Sequence, residues 1–420
     1  MKKIAIVGTG IAGLGCAHFL HKHFDIVVFE QNNYIGGHTN TVYIPEGNIS
    51  IPVDTGFIVC NQENYPLLIK LFKQLNVPLK KTFMSFAAHI VHENIEYCGS
   101  SLNKLFAQRK NIFNPRYIKF LRQLNRFNKE CIEILNDTKF QSLSIQEYCN
   151  FKKFNQDLLN WYLLPMSSAL WSTPPETSSK FPALNLVRFF KNHGFLGLDT
   201  QFQWYTVDGG SEEYKKRLIE PFKDKIRINS KVVSIKRNVN DVEVGLENGE
   251  MFSFDKVILA SHADQTLRML SDITDKEEEL LSQFAYEKNK ATLHTDETIM
   301  PNLKKVWSSW NYRIEKKNDN LVSSCTYWMN SLQDVSKKKN YFVTINDQGN
   351  IDEKKIIREF EYEHPIFTVE AMQMQNRLSE LNTNEQIYFC GSYFRYGFHE
   401  DAFMSAVNVC SAVLKKDIWS

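Results

Sequence analysis

Three glycines and one carboxylate near the N-terminus carry the first chemistry in this chain. Gly8, Gly10 and Gly13 stand at G-x-G-x-x-G spacing, and Glu30 follows further on. An apolar run, Lys3-Ile4-Ala5-Ile6-Val7, feeds the glycines, and a helical pattern with Leu14, Ala17 and Leu20 on one face comes after them. A second apolar run, Asp25-Ile26-Val27-Val28-Phe29, ends in Glu30. In a strand–turn–helix–strand unit of this kind Gly8 permits the tight turn and Gly10 lets backbone approach a pyrophosphate. Gly13 lets the helix pack on the strand, and the N–H groups at the helix start, Ile11 and Ala12, face the phosphates. A carboxylate about twenty residues past the first glycine takes a ribose hydroxyl pair. The glycines alone are a weak signal, but strands, helix and acid agree. They predict an adenine dinucleotide site.

Small residues recur after Glu30, in Gly36-Gly37-His38-Thr39 and in Pro52-Val53-Asp54-Thr55-Gly56. They let backbone pass close to a bound group. At the far end, Ile387-Tyr388-Phe389-Cys390 runs into Gly391-Ser392. Tyr396-Gly397-Phe398-His399-Glu400-Asp401 then opens an Ala/Ser-rich helix beginning at Ala402. A strand, a glycine and a fresh helix N-terminus make a second anion-friendly place.

Three further stretches recur in the same order as a known pattern: Val207-Asp208-Gly209-Gly210-Ser211, Ile228-Asn229-Ser230-Lys231-Val232-Val233, and Asp255-Lys256-Val257-Ile258-Leu259-Ala260-Ser261-His262-Ala263. Together the segments resemble the flavin-containing amine oxidase and phytoene desaturase superfamily, over most of the chain. The resemblance implies an α/β fold of the glutathione-reductase nucleotide type: an FAD-binding Rossmann-type domain built from discontinuous segments, with an inserted mixed α+β substrate domain. It implies an FAD-dependent oxidoreductase. The FAD sites it implies are Gly8, Gly10, Ile11, Ala12, Gly13, Glu30, Gly36, Gly37, His38, Thr39, Thr55, Gly56, Val233, Gly391, Ser392, Phe398, His399, Glu400, Asp401 and Ala402. Val233 belongs to the strand whose backbone reads the adenine edge.

Several positions depart from that pattern. His38 holds a place where amine oxidases often have arginine, which weakens transfer of their substrate. Ser392 stands where many relatives carry an acid for the ribityl chain, so Glu400 or Asp401 is expected either to supply that acceptor or to cap the last helix. No cysteine lies between His364 and Glu385, where covalently attached relatives have one. Noncovalent FAD is therefore expected. Lys290 lies where amine oxidases often place a lysine near the flavin, and His294 is a candidate proton relay. Both stand against plainer readings, a solvated lysine and a structural histidine.

Within the superfamily, His38-Thr39-Asn40-Thr41-Val42, Tyr162-Leu163-Leu164-Pro165-Met166, Leu293-His294-Thr295-Asp296, Trp310-Asn311-Tyr312 and Gly397-Phe398-His399-Glu400-Asp401 are similar to one subgroup. Its members are flavoproteins found beside, or fused to, cyclopropane-fatty-acid-synthase-like methyltransferases. By association this implies an acyl-lipid substrate and a lipid-modifying methyltransferase partner.

Those residues must be positioned by elements scattered along the chain. The motif order assigns 1–75, 200–270 and 365–420 to the FAD-binding domain, and 76–199 and 271–364 to the substrate domain. The first insert reads as helical, with Tyr117, Phe120, Leu121, Leu124 and Phe127 at helical spacing. The second reads as a charged helix at 275–281 followed by strands near 291–294 and 322–328. A hairpin is expected over 239–249, turning at Asn248-Gly249.

Composition describes an ordinary globular enzyme: 420 residues, 43% hydrophobic, 23% charged, net charge +2. That charge predicts no affinity for nucleic acid. The eight cysteines form no C-x-x-C pair, so disulfides and zinc are not expected and a reducing cytoplasm fits. No apolar run approaches the ~18 residues of a membrane span, and Met1-Lys2-Lys3 leads straight into the first strand rather than a signal peptide. One segment, 104–129, has Lys104, Arg109, Lys110, Arg116, Lys119, Arg122, Arg126 and Lys129 with no acid among them, and Phe106, Phe113, Tyr117, Phe120 and Phe127 interleaved. It reads either as a surface helix with its aromatic side in the core or as a peripheral contact with the inner face of a membrane.

Three function classes follow. The first removes a hydride from a hydrophobic, acyl-lipid-like substrate, as a dehydrogenase or desaturase. The second oxidises a small amine. The third isomerises double bonds or serves a lipid methyltransferase as partner. No second glycine turn supports an NAD(P)H site.

Overall fold

The computed structural model describes all residues except 141, 172, 198–201, 319, 384 and 420, so the expected domain boundary at 199 and 200 lies outside the described residues. The strands Ile226–Arg227, Asp25–Phe29, Lys3–Val7, Lys256–Leu259 and Ile387–Phe389 lie side by side in that order, all parallel. A parallel sheet of this kind is covered on both faces, which is why its strands read as unbroken apolar runs. Along Lys3–Val7 the side chains alternate. Ile4 and Ile6 pack with Leu14, Ala17, Phe403 and Ala406 from the helices Ile11–Leu20 and His399–Leu414. Ala5 and Val7 pack with Val232, Ile235, Val242 and Val244 of a small antiparallel sheet on the other face. The first and last helices therefore share one face, and the chain ends meet there.

A seven-stranded mixed sheet stands apart, in the order Ile356–Pro365, Tyr286–His294, Phe342–Ile345, Asn320–Trp328, Trp310–Lys317, Phe86–Ile90 and Ile95–Cys98. Helices drawn from 102–192 cover part of it through Tyr117, Phe120, Phe127, Trp161 and Phe190, which pack with Ile90, Tyr97, Tyr312 and Ile314. The expected charged helix is Asp275–Leu281, started by a capping box between Thr274 and Glu277.

Two expectations are corrected. The first insert is not wholly helical: Phe86–Ile90 and Ile95–Cys98 join the large sheet, the former parallel to Trp310–Lys317. Residues 79–82 likewise form a strand that pairs with Trp204–Val207. The Asn248-Gly249 turn joins Val242–Leu246 to Met251–Phe254, whereas Val239 lies in an earlier turn closed by Asn238 N–H on Asp241 C=O. No described helix is long and apolar enough to cross a membrane.

Candidate cofactor cradle and active-site cavity

Gly8 adopts φ +105° and donates its N–H to the Phe29 carbonyl, so the chain turns sharply out of the first strand. An added Cβ on Gly8 would lie 2.9 Å from the Ala260 carbonyl oxygen, and one on Gly13 would lie 2.0 Å from the Gly8 carbonyl oxygen. Both glycines are demanded by the protein itself. Gly10 differs. It is the N-cap of Ile11–Leu20, its φ of −62° suits any residue, no side chain caps the helix, and a Cβ there would meet nothing within 4 Å. The first-turn N–H groups of Ile11, Ala12 and Gly13 are orphan donors of the kind that bind phosphate.

Glu30 is buried. One carboxylate oxygen accepts from Thr9 N–H (3.0 Å) and Thr9 Oγ1 (2.5 Å), and the other accepts from Asn32 N–H and Nδ2 (both 2.9 Å). It thus fixes the glycine turn as well as standing where a ribose would lie. Gly36 donates its N–H to Thr9 Oγ1, and a Cβ on Gly37 would sit 3.3 Å from Gly10 Cα, so the two glycine pairs are stacked against each other. Val233 lies at the register shift between Val232 and Ser234, and the segment before it is held to the same end by Ser230 N–H on the Glu30 carbonyl.

Next along the groove comes a cluster of imidazoles. The His38 ring stacks on Tyr362 at 5.0 Å and lies 5.2 Å from His364. Asn289 Nδ2 donates to His364 Nδ1 at 3.0 Å, while His262 stacks on Tyr286 and meets Glu363 at 3.2 Å. His399 stacks on Phe57 at 4.1 Å and shares a 2.7 Å hydrogen bond with Tyr214 OH, which also bonds Thr39. Thr55 Oγ1 meets Tyr362 OH at 2.7 Å, and Gly56 packs so tightly on the His38 carbonyl that only glycine fits. Burial, then repulsion from His364, His262 and His399, holds His38 well below its ordinary value; burial brings His399 down to about 3, and burial with His262 brings His364 to about 4. All three are neutral at pH 7.

The residues present fit FAD. The space beyond Gly10, the uncapped helix end and His38 Nε2, buried without a hydrogen-bond partner, all await a ligand with phosphate and ring acceptors. The C-terminal segment closes the other side. Gly391 N–H donates to Ser405 Oγ, and Ser392 takes the Gly397 N–H on its carbonyl, which turns the chain towards Phe398 and the start of the last helix.

Glu400 and Asp401 turn out to be caps. Asp401 accepts from Phe398 N–H (3.0 Å) and Tyr396 N–H (3.2 Å) at the start of its own helix, while Ala402 N–H goes to the Phe398 carbonyl. Glu400 accepts from Leu67 and Leu68 N–H (both 2.9 Å), satisfying the first turn of Pro66–Gln74. Burial pushes Glu400 up to about 7 and Asp401 up to about 6. Both backbone donors to Asp401 meet Oδ2, and each oxygen of Glu400 accepts one N–H.

Beside Phe398 a cavity of about 470 Å³ opens, walled by Trp171, Phe189, His193 and Tyr396, with Tyr65 and Glu63 on the other side. Arg188 lines it, donating to Tyr396 OH at 3.0 Å; no described carboxylate lies within ion-pairing distance of it. Arg395 also lines it, 3.8 Å from Asp401.

Lys290 and His294 are not part of this arrangement. On Tyr286–His294 the odd positions Asn289, Ala291 and Leu293 face the cofactor side, and the even positions face away. Lys290 is 59% exposed and pairs with Glu359 at 2.7 Å. His294 shares a hydrogen bond from Nε2 with Thr344, accepts Asp296 N–H at Nδ1 and stacks on Phe342, a satisfied structural histidine. Asn289 and, at the start of the strand, Tyr286 reach the histidine cluster.

Asp54, Tyr214, His262, Tyr362, His364 and Arg188 escaped the sequence reading. Asp54 is fully buried and accepts from Ser211 N–H and Oγ, Thr41 Oγ1 and Gln333 Nε2, binding the second strand pair to the double-glycine element; burial lifts it to about 6. Its signal was its place before Thr55-Gly56, and that of His262 was its place in the 255–263 stretch. The others carry no local motif.

Comparison with known proteins places this geometry. The family described as flavin containing amine oxidoreductase matches residues 11–360. Polyamine oxidase 3 of Oryza sativa subsp. japonica is 22% identical over 315 residues, covering 71% of this chain and 60% of that protein, so the chain spans less than two thirds of that relative. A putrescine oxidase bound to putrescine superposes with TM-score 0.70 at 13% identity, covering 99% of both chains. A CLA-producing fatty acid isomerase from P. acnes superposes with TM-score 0.67 at 13% identity, covering 100% of this chain and 99% of the other. At such identities the superpositions show the fold alone.

Proposed function

The chain belongs to the flavin containing amine oxidoreductase family, with FAD as its cofactor, and we propose that it oxidises an acyl chain carrying an anionic head. FAD held by the first-turn N–H groups beyond Gly10 and by Glu30 would supply the electron sink for loss of a hydride from a substrate carbon. The protein's own residues bind and orient. Trp171, Phe189 and Phe398 offer an apolar wall that excludes water, and the cavity volume suits a small ligand or one segment of a chain. The neutral imidazoles of His38 and His399, and the Tyr214–Thr39 hydroxyls, hold protons without placing a fixed cation beside the ring system.

The observation that carries the reading is Arg188, a guanidinium lining the cavity with no carboxylate partner among the described residues. An unpaired cation repels a protonated amine and receives a carboxylate or phosphate in bidentate fashion. The test is anaerobic mixing of the yellow protein with a long-chain unsaturated carboxylate, an unsaturated phospholipid or putrescine. Bleaching with an acyl compound, weakened in Arg188→Met, supports the reading; bleaching with the amine alone overturns it.

Amine oxidation is the second reading. It is favoured by the named relatives and by the carboxyls of Glu63, Glu400 and Asp401 along the same cavity. Those of Glu400 and Asp401 are already engaged by backbone N–H groups, which is why it ranks second.

A further inference from the structure

We propose that a surface built jointly from 102–113 and 303–305 docks this protein onto an anionic lipid bilayer. Four large apolar side chains stand out into solvent there: Phe113 at 86% exposed, Leu102 at 64%, Ile112 at 46% and Leu303 at 37%. A folded protein gains nothing from such side chains in water, and grouped rather than scattered they mark a contact surface.

The two segments are distant in sequence but joined in space. Asn103 Oδ1 accepts from both Arg109 and Lys305, each at 2.6 Å, and Leu303 N–H reaches the buried Glu96 carboxylate at 3.5 Å. Beneath them Val306 packs with Ala87, Cys98 and Ala107. The apolar tips are thereby fixed on a rigid base instead of swinging on a loop.

Cations stand on the same two segments. Lys104, Arg109, Lys110 and Lys305 have no carboxylate within ion-pairing distance among the described residues; the bonds of Arg109 and Lys305 go to neutral oxygens. Of the acids nearby, Glu93 is paired with Arg116 and Glu297 with Lys304, while Glu96, buried beneath Leu303, feels the charge of Lys110. Apolar tips on segments rich in cations match a bilayer with negative headgroups, where the tips enter the acyl boundary and the ammonium and guanidinium groups meet phosphate. The placement revises the sequence reading of 104–129. Along the helix Pro115–Glu130, Arg116 is spent on Asp157 and Glu93, and Arg126 on Glu130, while the exposed Lys119, Arg122 and Lys129 form no ion pair among the described residues.

This inference does not depend on the substrate. The test is sedimentation of the flavin-loaded protein with vesicles of phosphatidylcholine alone or mixed with phosphatidylglycerol, at low and high salt. Binding is expected to the mixed vesicles and to fall with salt. Lys104→Glu/Arg109→Glu/Lys110→Glu should weaken it at least about 100-fold, since each cation lost near an anionic surface costs roughly a factor of five and each glutamate adds repulsion. Phe113→Ala should weaken it about 10-fold, through lost apolar contact that salt does not screen. Unchanged flavin content in both variants shows that they are folded. Reversing Lys337, Lys338 and Lys339, a basic run elsewhere on the surface, should leave binding intact. Three results overturn the proposal: no binding of the wild type to mixed vesicles, unaltered binding by either patch variant, or loss on reversal at 337–339. A fourth is a wild type that dimerises in the absence of vesicles and becomes monomeric on Phe113→Ala, which would assign the patch to a second copy of the chain.

Discussion

Replacing Gly10 by valine separates the needs of the cofactor from those of the fold. In the protein alone the new Cβ points into open space, with nothing within 4 Å, and a φ of −62° suits a β-branched residue. The apoprotein should lose no more than about 1 kcal/mol, the scale of an unfavourable N-cap. The branched side chain, however, fills the volume where the pyrophosphate meets the first-turn N–H groups of Ile11 and Ala12, and binding should be abolished rather than weakened. Because FAD binds only the folded chain, the variant also loses RT ln(1 + [L]/Kd), about 2.7 kcal/mol when free FAD stands at 100 times Kd. For a chain of 420 residues unfolding entropy near 2.1 cal/mol/K per residue sums to about 0.9 kcal/mol/K, so this loss lowers Tm by about 3 °C. Gly13→Ala is the contrast: its Cβ would sit 2.0 Å from the Gly8 carbonyl oxygen, so it should damage the fold with or without FAD. The assay is the flavin absorbance of the purified variants, with melting curves taken with and without added FAD. A Gly10→Val protein that purifies yellow at full occupancy, with the wild-type Tm, refutes the cradle.

Glu30→Gln keeps one acceptor for Thr9 but loses charge against both the turn and a ribose, so FAD affinity measured by fluorescence titration should fall about 10- to 100-fold; an unchanged Kd would remove Glu30 from the site. Lys290→Ala breaks only an exposed pair with Glu359 and should leave turnover and flavin reduction unaltered, with stability changed by less than about 1 kcal/mol; a large fall in the rate of flavin reduction would return Lys290 to the chemistry. Acid should destabilise the protein early. Burial holds His18, His38, His89, His193, His294, His364 and His399 below their ordinary value, and a group lowered in this way contributes stability that is full above about pH 6.5 and is lost as pH falls towards 4. Asp54, Glu400 and Asp401, raised to about 6, 7 and 6, act with the opposite sign, their stability lost as pH rises through those values, so they offset part of the effect. The histidines outnumber them, and Tm should drop steeply between pH 6.5 and 5; a Tm that rises on acidification through that window contradicts the argument.

The sequence by itself determined the strand–turn–helix–strand unit expected to hold an ADP moiety. Gly8, Gly10, Gly13 and Glu30 belong to one strand–turn–helix–strand unit whose geometry follows from local spacing, and glycines required by sterics leave a mark in the chain. The charged helix at 275–281 was equally legible, because its capping box and periodicity are local. Only the tertiary structure decided the rest. His38, His262 and His399 come to the Tyr362–His364 pair from elements distant in sequence, and only Tyr362 and His364, two apart on one strand, are linked by spacing. Whether Lys290 or Asn289 faces the cofactor rests on the parity of a single strand, which sequence cannot set because a shift of one residue exchanges its faces. The capping role of Glu400 could not be read from its own neighbours, because Leu67 and Leu68, more than three hundred residues earlier, present the two helix N–H groups to its carboxylate. Motifs read from sequence name what the backbone near them must do, whereas the partner of a buried charge is chosen by whichever distant donor the packed chain leaves unpaired.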